Sequence, residues 1–186
     1  MYRDAIAAYV PQCEQEEQDR RVMLEYIDRF PDTILKRENE FAHITSSGFI
    51  VNADASRVLF VHHDIYQVWA WTGGHADGDG DLLSVALREA REETGAVHVR
   101  ALSAAIASLE ILPVWGHWKR GRWVSSHQHL NVSYLLTADE GDVLSPRPGE
   151  NSGVAWLSAE RLPELTGERE MDPIYTKLLQ RARALL

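Results

Sequence analysis

The acidic segment at residues 89–93 carries residue types and a spacing that could bind a metal ion. Glu89, Glu92 and Glu93 stand at positions i, i+3 and i+4, so a helix would place their carboxylates on one face. Like charges this close repel one another, and a divalent cation removes the repulsion. Carboxylate oxygens suit hard ions such as Mg²⁺ and Mn²⁺. The segment therefore predicts a Mg²⁺ or Mn²⁺ site, with a solvated helix face as the alternative for this turn alone.

Two glycines, Gly73 and Gly74, stand between a predicted strand and this helix. Glycine lets the backbone approach a ligand closely, so a carbonyl group there can complete the coordination of a metal. Gly95 follows the helix, as glycine commonly does at a helix end. Strand, glycine loop and acidic helix together predict a site that positions a metal and its phosphate ligand.

His127, His129 and Asn131 alternate along a predicted strand and therefore share one face. We therefore predict that this face lines a substrate cleft. Trp71, which could stack on a base, and His75, which could contact a phosphate, are further substrate-binding candidates. A zinc site made by the two alternating imidazoles and a solvated sheet face are the alternatives.

The remaining chain predicts the elements that must position these residues. Residues 4–30 have a helical pattern with a break at Pro11, and helices are also predicted over about 81–94 and from Asp172 onward. Strands are predicted over the apolar, β-branched segments 41–51, 57–61, 68–72, 97–102, 106–118, 122–137 and 153–157. This β-rich order with interposed helices predicts a mixed α/β sandwich, with an N-terminal helical arm (1–38) and a domain that carries the candidate site (39–186).

Two connections interrupt this pattern. Residues 119–121 predict a hairpin turn in which Lys119 and Arg120, together with the following Arg122, could reach phosphates; a solvated turn is the alternative. Residues 139–153 hold Asp, Gly, Ser and two prolines and predict a loop.

Composition excludes several classes of protein. The 186 residues are 45% hydrophobic, which argues against disorder, and their formal charge of −9 argues against sequence-blind binding to nucleic acid or to an anionic membrane surface. A single cysteine, Cys13, excludes an internal disulfide and a Cys-rich zinc site and favours a reduced, cytoplasmic location. Neither a transmembrane helix nor a secretory signal peptide is predicted.

Residues 74–96 resemble the signature of the Nudix, or MutT-like, hydrolases. That signature is Gly, five residues, Glu, seven residues, Arg-Glu-apolar, one residue, Glu-Glu, one residue, Gly and an apolar residue. Gly74, residues 88–90 and residues 92–96 match it, and the spacing is right throughout. Position 80 departs from it, because Gly80 stands where the first glutamate is expected. The resemblance implies a Nudix-type α/β/α sandwich with a mixed β-sheet and an N-terminal helical extension.

The resemblance also implies the roles of several residues. Glu89, Glu92 and Glu93 would be metal ligands, together with the carbonyl group of Gly74. Arg88 would orient a glutamate through a charge-assisted hydrogen bond. The implied reaction is the attack of water on a phosphorus atom of a diphosphate linkage in a nucleoside diphosphate derivative, with Mg²⁺ or Mn²⁺ as the cofactor.

Two roles stay open at this point. The general base is Glu89 or Glu150, with Glu110 ranked last. Asp81, which follows the departure at position 80, either takes over part of the role of the missing glutamate or caps the helix.

Three other functions share this resemblance. One is a non-catalytic nucleotide-binding module or regulator, although such proteins usually lose the glutamates that this chain keeps. Another is isopentenyl diphosphate isomerase, which relies on a cysteine in the cleft, whereas Cys13 lies in the arm. The third is RNA decapping, which the acidic charge disfavours. The expected partner is a small nucleoside diphosphate derivative, without membrane or long nucleic acid, and the arm is a candidate contact for a homodimer.

Overall fold

The computed structural model describes residues 1–119 and 121–186. Within them the strands are β1 (Ala42–Val51), β2 (Arg57–His63), β3 (Trp69–Ala70), β4 (Thr72–His75), β5 (Arg100–Ala101), β6 (Ser108–Val114), β7 (His117–Lys119), β8 (Arg122–Val124), β9 (His127–Thr137) and β10 (Asn151–Ser158). The helices are α1 (Tyr2–Ala8), α2 (Glu14–Arg29), α3 (Leu82–Thr94), α4 (Leu162–Thr166) and α5 (Asp172–Leu185), with a 3₁₀ turn at Ala159–Arg161.

The sheet is mixed, as the sequence predicts. Its central path runs β10-β2-β1-β9-β5, with β3 paired to β2, β4 to β1 and β6 to β9, while β7 and β8 form a separate hairpin. β1 and β9 run parallel along their whole length, from Ala42 opposite Gln128 to Val51 opposite Thr137. The other pairs are antiparallel. The parallel pair brings the start of β1 beside the start of β9, and that end of the sheet carries the candidate site.

Helices cover both faces of the sheet, which explains why all ten residues of β1 are buried. On one face Ile44 and Ile50 belong to the same core as Leu82, Ala86 and Ala90 of α3. On the other face Phe49 and Leu135 pack with Tyr175 and Leu178 of α5. Alternate residues of each strand therefore enter different cores, and the expected α/β/α sandwich is confirmed.

The N-terminal helices pack against this sandwich. Ile6, Met23 and Ile27 are buried in the same core as α3, and α2 lies against β6. A division of the chain near residue 38 stays a prediction. In the part of the chain that the structure describes, no helix is long and apolar enough to cross a membrane.

Several predicted boundaries differ from those observed. Gly73, Gly74 and His75, expected in a loop, belong to β4 and pair with Ser47, Ser46 and Thr45 of β1. Segments 106–118 and 122–137 are each interrupted, because the chain leaves the large sheet to form the β7–β8 hairpin. Only two residues of segment 97–102 form a strand, and α4 lies where no helix is predicted. Arg120, in the predicted turn of the hairpin, lies outside the described residues.

Candidate active site

α3 is held in place by its two ends and its apolar face. The carboxylate of Asp81 accepts hydrogen bonds from the backbone N–H (3.1 Å) and the hydroxyl (2.9 Å) of Ser84, so Asp81 caps the helix. Gly95 ends the helix with φ of 73°, in the left-handed region that favours glycine. Between them Ala86 and Ala90 are buried against the sheet. This packing turns the neighbouring face of α3, with its carboxylates, toward β4.

Glu93 is buried rather than solvated. Only 8% of the residue is exposed, and its carboxylate accepts a hydrogen bond of 3.1 Å from the backbone N–H of Gly73. Burial raises the pKa of Glu93 to about 8, against the lowering effect of the Gly73 N–H. The solvated helix face, the alternative for this turn, is therefore wrong for Glu93.

Glu89 lies directly against Gly74. A Cβ atom added to Gly74 would stand 2.5 Å from Cδ of Glu89, a distance too short for any real contact. Only 14% of the Glu89 side chain is exposed. Burial and the charge of Glu92 raise the pKa of Glu89. A side chain at position 74 would therefore displace Glu89, so glycine is needed where β4 meets α3.

Arg88 contacts two acidic side chains beside the site. Its Nη2 atom lies 3.4 Å from Oε1 of Glu89, and its Nη1 atom lies 3.7 Å from Oδ2 of Asp79. Gly80, which departs from the signature, thus stands between Asp79, which faces Arg88, and the capping Asp81. The local helix start is complete without a glutamate at position 80.

Arg147 is a member of the site that the sequence does not indicate. Its Nη1 atom lies 2.7 Å from Glu92, 3.3 Å from Glu150 and 3.5 Å from Glu89. The Gly- and Pro-containing loop of residues 139–150 carries it, and nothing in the spacing of that loop points to a partner on α3. Arg147 brings together three of the predicted carboxylates around one positive charge.

Four histidines lie together where β1 and β9 begin and β4 ends. His75, His127 and His129, all predicted, lie together with His43, which the prediction missed; the ring centroids of His43 are 4.9–5.2 Å from the other three. Burial lowers the pKa of His75 to about 3 and that of His129 to about 2, so both rings are neutral at neutral pH. The period-two alternation that relates His43 to Thr45 and Ser47 is the sequence signal that could have found it.

The other two substrate-binding candidates lie elsewhere. The amide oxygen of Asn131 accepts hydrogen bonds from Thr45 (3.0 Å) and Ser47 (2.8 Å), its nitrogen donates to Ser133 (2.9 Å), and the residue is 1% exposed. Asn131 is therefore enclosed in the sheet rather than lining a cleft. The ring of Trp71 meets the ring of Tyr175 edge-on at 5.5 Å, under α5. Substrate binding by these five residues stays a prediction.

Glu110, the last-ranked general base, is in the wrong place for that role. It is 1% exposed and lies 3.0 Å from the ammonium group of Lys177, on the α5 side of the sheet. Its carboxylate is occupied by that ion pair and by the hydroxyl groups of Ser108 and Ser133. Glu110 is therefore a buried structural carboxylate.

Comparisons with known proteins agree with this geometry. A family profile described as NUDIX domain matches residues 42–178. A crystal structure of a hydrolase of the NUDIX family from Clostridium perfringens is similar, with 25% identity, a TM-score of 0.50, and 77% of this chain and 95% of that chain covered. A C. elegans Ap4A hydrolase in a binary complex has the same fold, with 15% identity, a TM-score of 0.52, and 76% and 98% covered. A search of curated proteins finds no significant match.

The family profile and the similar structures define a hydrolase that acts on phosphorus-containing acid anhydrides. The profile covers most of the chain and includes the strand, the glycines and the acidic helix described above. This chain belongs to the Nudix family, and the resemblance seen in residues 74–96 is confirmed.

Proposed function

We propose that the protein hydrolyses a diphosphate linkage in a small nucleoside diphosphate derivative, with Mg²⁺ or Mn²⁺ as cofactor. The observation that carries the proposal is the convergence of Glu89, Glu92 and Glu150 on Arg147, beside the buried carboxylate of Glu93. Such a concentration of negative charge next to glycine backbone suits a cation and a phosphate ligand.

The donor set fits a hard divalent cation. Glu89, Glu92 and Glu93 would hold the ion through carboxylate oxygens, and the carbonyl group of Gly74 would be a further ligand. Burial raises the pKa values of Glu89 and Glu93, and a bound cation would stabilise their ionised forms. When bound, a divalent ion supplies charge neutralisation of the phosphate oxygens and lowers the pKa of the attacking water.

The residues of the chain have separate tasks in this reaction. A carboxylate, Glu89 or Glu150, accepts the proton of the water whose oxygen forms the new bond to phosphorus. The bond between that phosphorus and the bridging oxygen then breaks, and the electron pair leaves with the departing phosphate group. Arg88, 3.4 Å from Glu89, holds that carboxylate in orientation.

Two alternatives are less well supported. Cys13 is exposed at the start of α2, whereas the glutamates of the candidate site lie on α3 and in the loop of residues 139–150. This position argues against the cysteine-dependent isomerase. A non-catalytic module would have no need of a general base, whereas Glu150 stands beside the metal-binding candidates. A cytoplasmic location and a homodimer formed through the N-terminal helices are further parts of the proposal.

The test is product release from nucleoside triphosphates (oxidised ones included), nucleotide sugars, ADP-ribose and dinucleoside polyphosphates, with Mg²⁺, with Mn²⁺ and with a chelator. We expect metal-dependent cleavage of one class and a loss of at least about 100-fold in Glu89→Gln. Glu25→Gln is the matched control, because Glu25 is exposed and pairs with Arg21 on α2. Cleavage that survives the chelator or Glu89→Gln would contradict the proposal, and silence with every class would favour the binding module.

A further inference from the structure

Four imidazoles from three neighbouring strands meet at one end of the sheet. His43 lies on β1, His75 on β4, and His127 and His129 on β9. The strand registers place them there, because His43 is opposite His129 and His75 is opposite Thr45. One ring nitrogen from each of His43, His75 and His129 lies within 4.8 Å of the other two. The sheet thus gathers side chains that are far apart in the sequence.

His43 is held in the form that a metal requires. Its Nδ1 atom lies 3.0 Å from the carbonyl oxygen of Asn39, which can only accept, so Nδ1 carries the hydrogen. The other nitrogen, Nε2, then has a free lone pair. His43 is 4% exposed, and Nε2 is buried without a hydrogen-bond partner. Metal-bound histidines are oriented by such a bond from the other ring nitrogen, and a metal would satisfy the buried lone pair.

His127 has the same kind of contact at its Nδ1 atom. Its Nδ1 atom lies 2.9 Å from the carbonyl oxygen of Ser125, which leaves Nε2 as the acceptor. That Nε2 atom is 3.3 Å from Nε2 of His129. Zinc–nitrogen bonds of about 2.0–2.1 Å in a tetrahedron place two ligand nitrogens about 3.3 Å apart. The separation of His127 and His129 therefore matches that of two ligands on one zinc ion.

The chemistry of this group differs from that of the carboxylates on α3. Imidazole nitrogens suit Zn²⁺ and related transition metals, whereas Mg²⁺ prefers oxygen. Arg37 and Lys119 are the cations whose charges act on His75. The guanidinium group of Arg37 is balanced by the carboxylate of Asp77, with two contacts of 2.7 and 2.8 Å.

We propose that His43, His75, His129 and His127 form a zinc site that is separate from the hydrolytic centre. Gly74 and His75 are consecutive in β4, so they face opposite sides of the sheet, Gly74 toward α3 and His75 away from it. The bound ion would link β4, β1 and β9 where β4 leads into the loop before α3. Its role is to fix that corner of the sheet, and it does not depend on the proposed function.

The test begins with the full chain, freed of metal by a chelator and titrated with Co²⁺ and then with Zn²⁺. We expect one equivalent of Co²⁺ to give the intense visible absorption of a tetrahedral site, Zn²⁺ to displace it, and Zn²⁺ to raise the melting temperature. His75→Asn and His129→Gln should each weaken Zn²⁺ binding by at least about 100-fold, because each removes one ligand. Circular dichroism checks that both variants are folded.

Two controls separate this site from others. His98→Gln removes an exposed histidine that is paired with Asp142 and should leave binding unchanged. Glu89→Gln should also bind Zn²⁺ as the wild type does, even where it has lost hydrolysis. The proposal is overturned when the wild type gives no tetrahedral cobalt spectrum, when Glu89→Gln abolishes Zn²⁺ binding, or when the histidine variants keep it. Variants that raise only the KM of the nucleotide would instead assign these histidines to substrate binding.

Discussion

Glu92 and Glu93 are consecutive in the chain but lie in different surroundings. The side chain of Glu92 is 42% exposed and forms an ion pair of 2.7 Å with Arg147. Glu93 is nearly enclosed and has the N–H of Gly73 as its hydrogen-bond donor. Residue type alone therefore does not decide the properties of these carboxylates, because burial raises the pKa of Glu93.

Glu93→Gln should abolish activity and stabilise the metal-free protein. The variant removes a metal ligand, so we expect a loss of at least about 100-fold in turnover. It also removes a buried acid, and the free energy of unfolding at pH 8 should rise by about 2–4 kcal/mol. Urea unfolding with a chelator present measures the second effect. Near-normal turnover would contradict the ligand assignment.

The stabilities of the wild type and of Glu93→Gln should depend differently on pH. The pKa of Glu93 is raised to about 8 in the folded chain, from its ordinary value of 4.5. Between those values the folded state keeps a proton that the unfolded state has released, so this group lowers stability as pH rises. The stability advantage of Glu93→Gln should therefore be small at pH 4.5 and grow toward pH 8. An advantage that is constant over this range would contradict the raised pKa.

Gly74→Ala should damage the site more than the fold. The added Cβ would meet the side chain of Glu89 at 2.5 Å and displace it, so we expect at least about a tenfold loss of turnover. Gly80→Ala is the matched control, because a Cβ there meets only Tyr2, at 3.4 Å. Turnover and urea unfolding of both variants are the measurements. Equal activities would show that Glu89 tolerates the shift.

At the scale of elements, the loop of residues 139–150 is docked on the end of α3. The backbone N–H of Ser145 donates to the carbonyl oxygen of Thr94 (2.8 Å), and the amide of Asn151 donates to that of Glu93 (3.0 Å). These bonds satisfy carbonyl groups at the end of the helix, which have no partner within it. They also fix the loop that carries Arg147, because Ser145 lies in this loop and Asn151, the first residue of β10, directly follows it.

Arg147→Ala should tighten Mg²⁺ binding in the absence of substrate. Arg147 is the positive charge shared by Glu89, Glu92 and Glu150, and a divalent ion competes with it for the same carboxylates. We expect about a fivefold lower Kd, the scale of a partly exposed ion pair. Calorimetric titration measures it. Arg57→Ala, which breaks the pair with Glu140, is the control, and weaker Mg²⁺ binding would contradict the competition.

Elements with local signals are predictable from the sequence, and those that depend on distant partners are not. α3 is predicted over about 81–94 and observed over Leu82–Thr94, because its cap, its apolar face and its final glycine are all local. β4 is missed because its short, glycine-rich segment becomes a strand only by pairing with β1.

The candidate site likewise contains residues that can be predicted from the sequence and residues that cannot. The spacing of Glu89, Glu92 and Glu93 is visible in the sequence because all three share one helix. Arg147 and His43 reach their sites through a loop and a strand register that involve residues far away in the chain. The register of β1 against β9 depends on the whole sheet. The alternation of residues near His43 predicts which face of the strand it occupies, but not which residues lie opposite it.

At the scale of the whole molecule, a buried ionic network joins α2 to α5 and to β6. Glu16 of α2 is fully buried and lies 2.6 Å from Arg181 and 3.0 Å from Lys177, both on α5. Lys177 also contacts Glu110 of β6, at 3.0 Å. Burial raises the pKa of Glu16, but the bonds from Arg181, from the backbone of Gln12 and from Lys177 outweigh it and lower the pKa to about 2.

Glu16→Gln should destabilise the whole molecule at neutral pH. It leaves the charges of Arg181 and Lys177 partly buried with one partner fewer, and we expect a loss of about 2–4 kcal/mol at pH 7. The lowered pKa means that Glu16 stabilises the fold above its ordinary pKa of 4.5, an effect lost as pH falls through about 2. Urea unfolding at pH 7 and near pH 2 should show the difference shrinking.

A matched variant tests the reason for that loss. Glu25→Gln removes an exposed pair with Arg21 on the same helix and should cost less than about 0.5 kcal/mol. If the two variants have the same stability at pH 7, the network has no net effect on the fold.

The network also bears on how the chain acquires its structure during synthesis. Glu16 leaves the ribosome well before the residues that neutralise it, which lie 161 and 165 positions further along, in α5. Until then this carboxylate lacks both of these cations, so we expect α2 to be only loosely attached. Final closure of the arm should therefore wait for α5, and a nascent chain halted before residue 177 should expose the N-terminal helices to proteolysis.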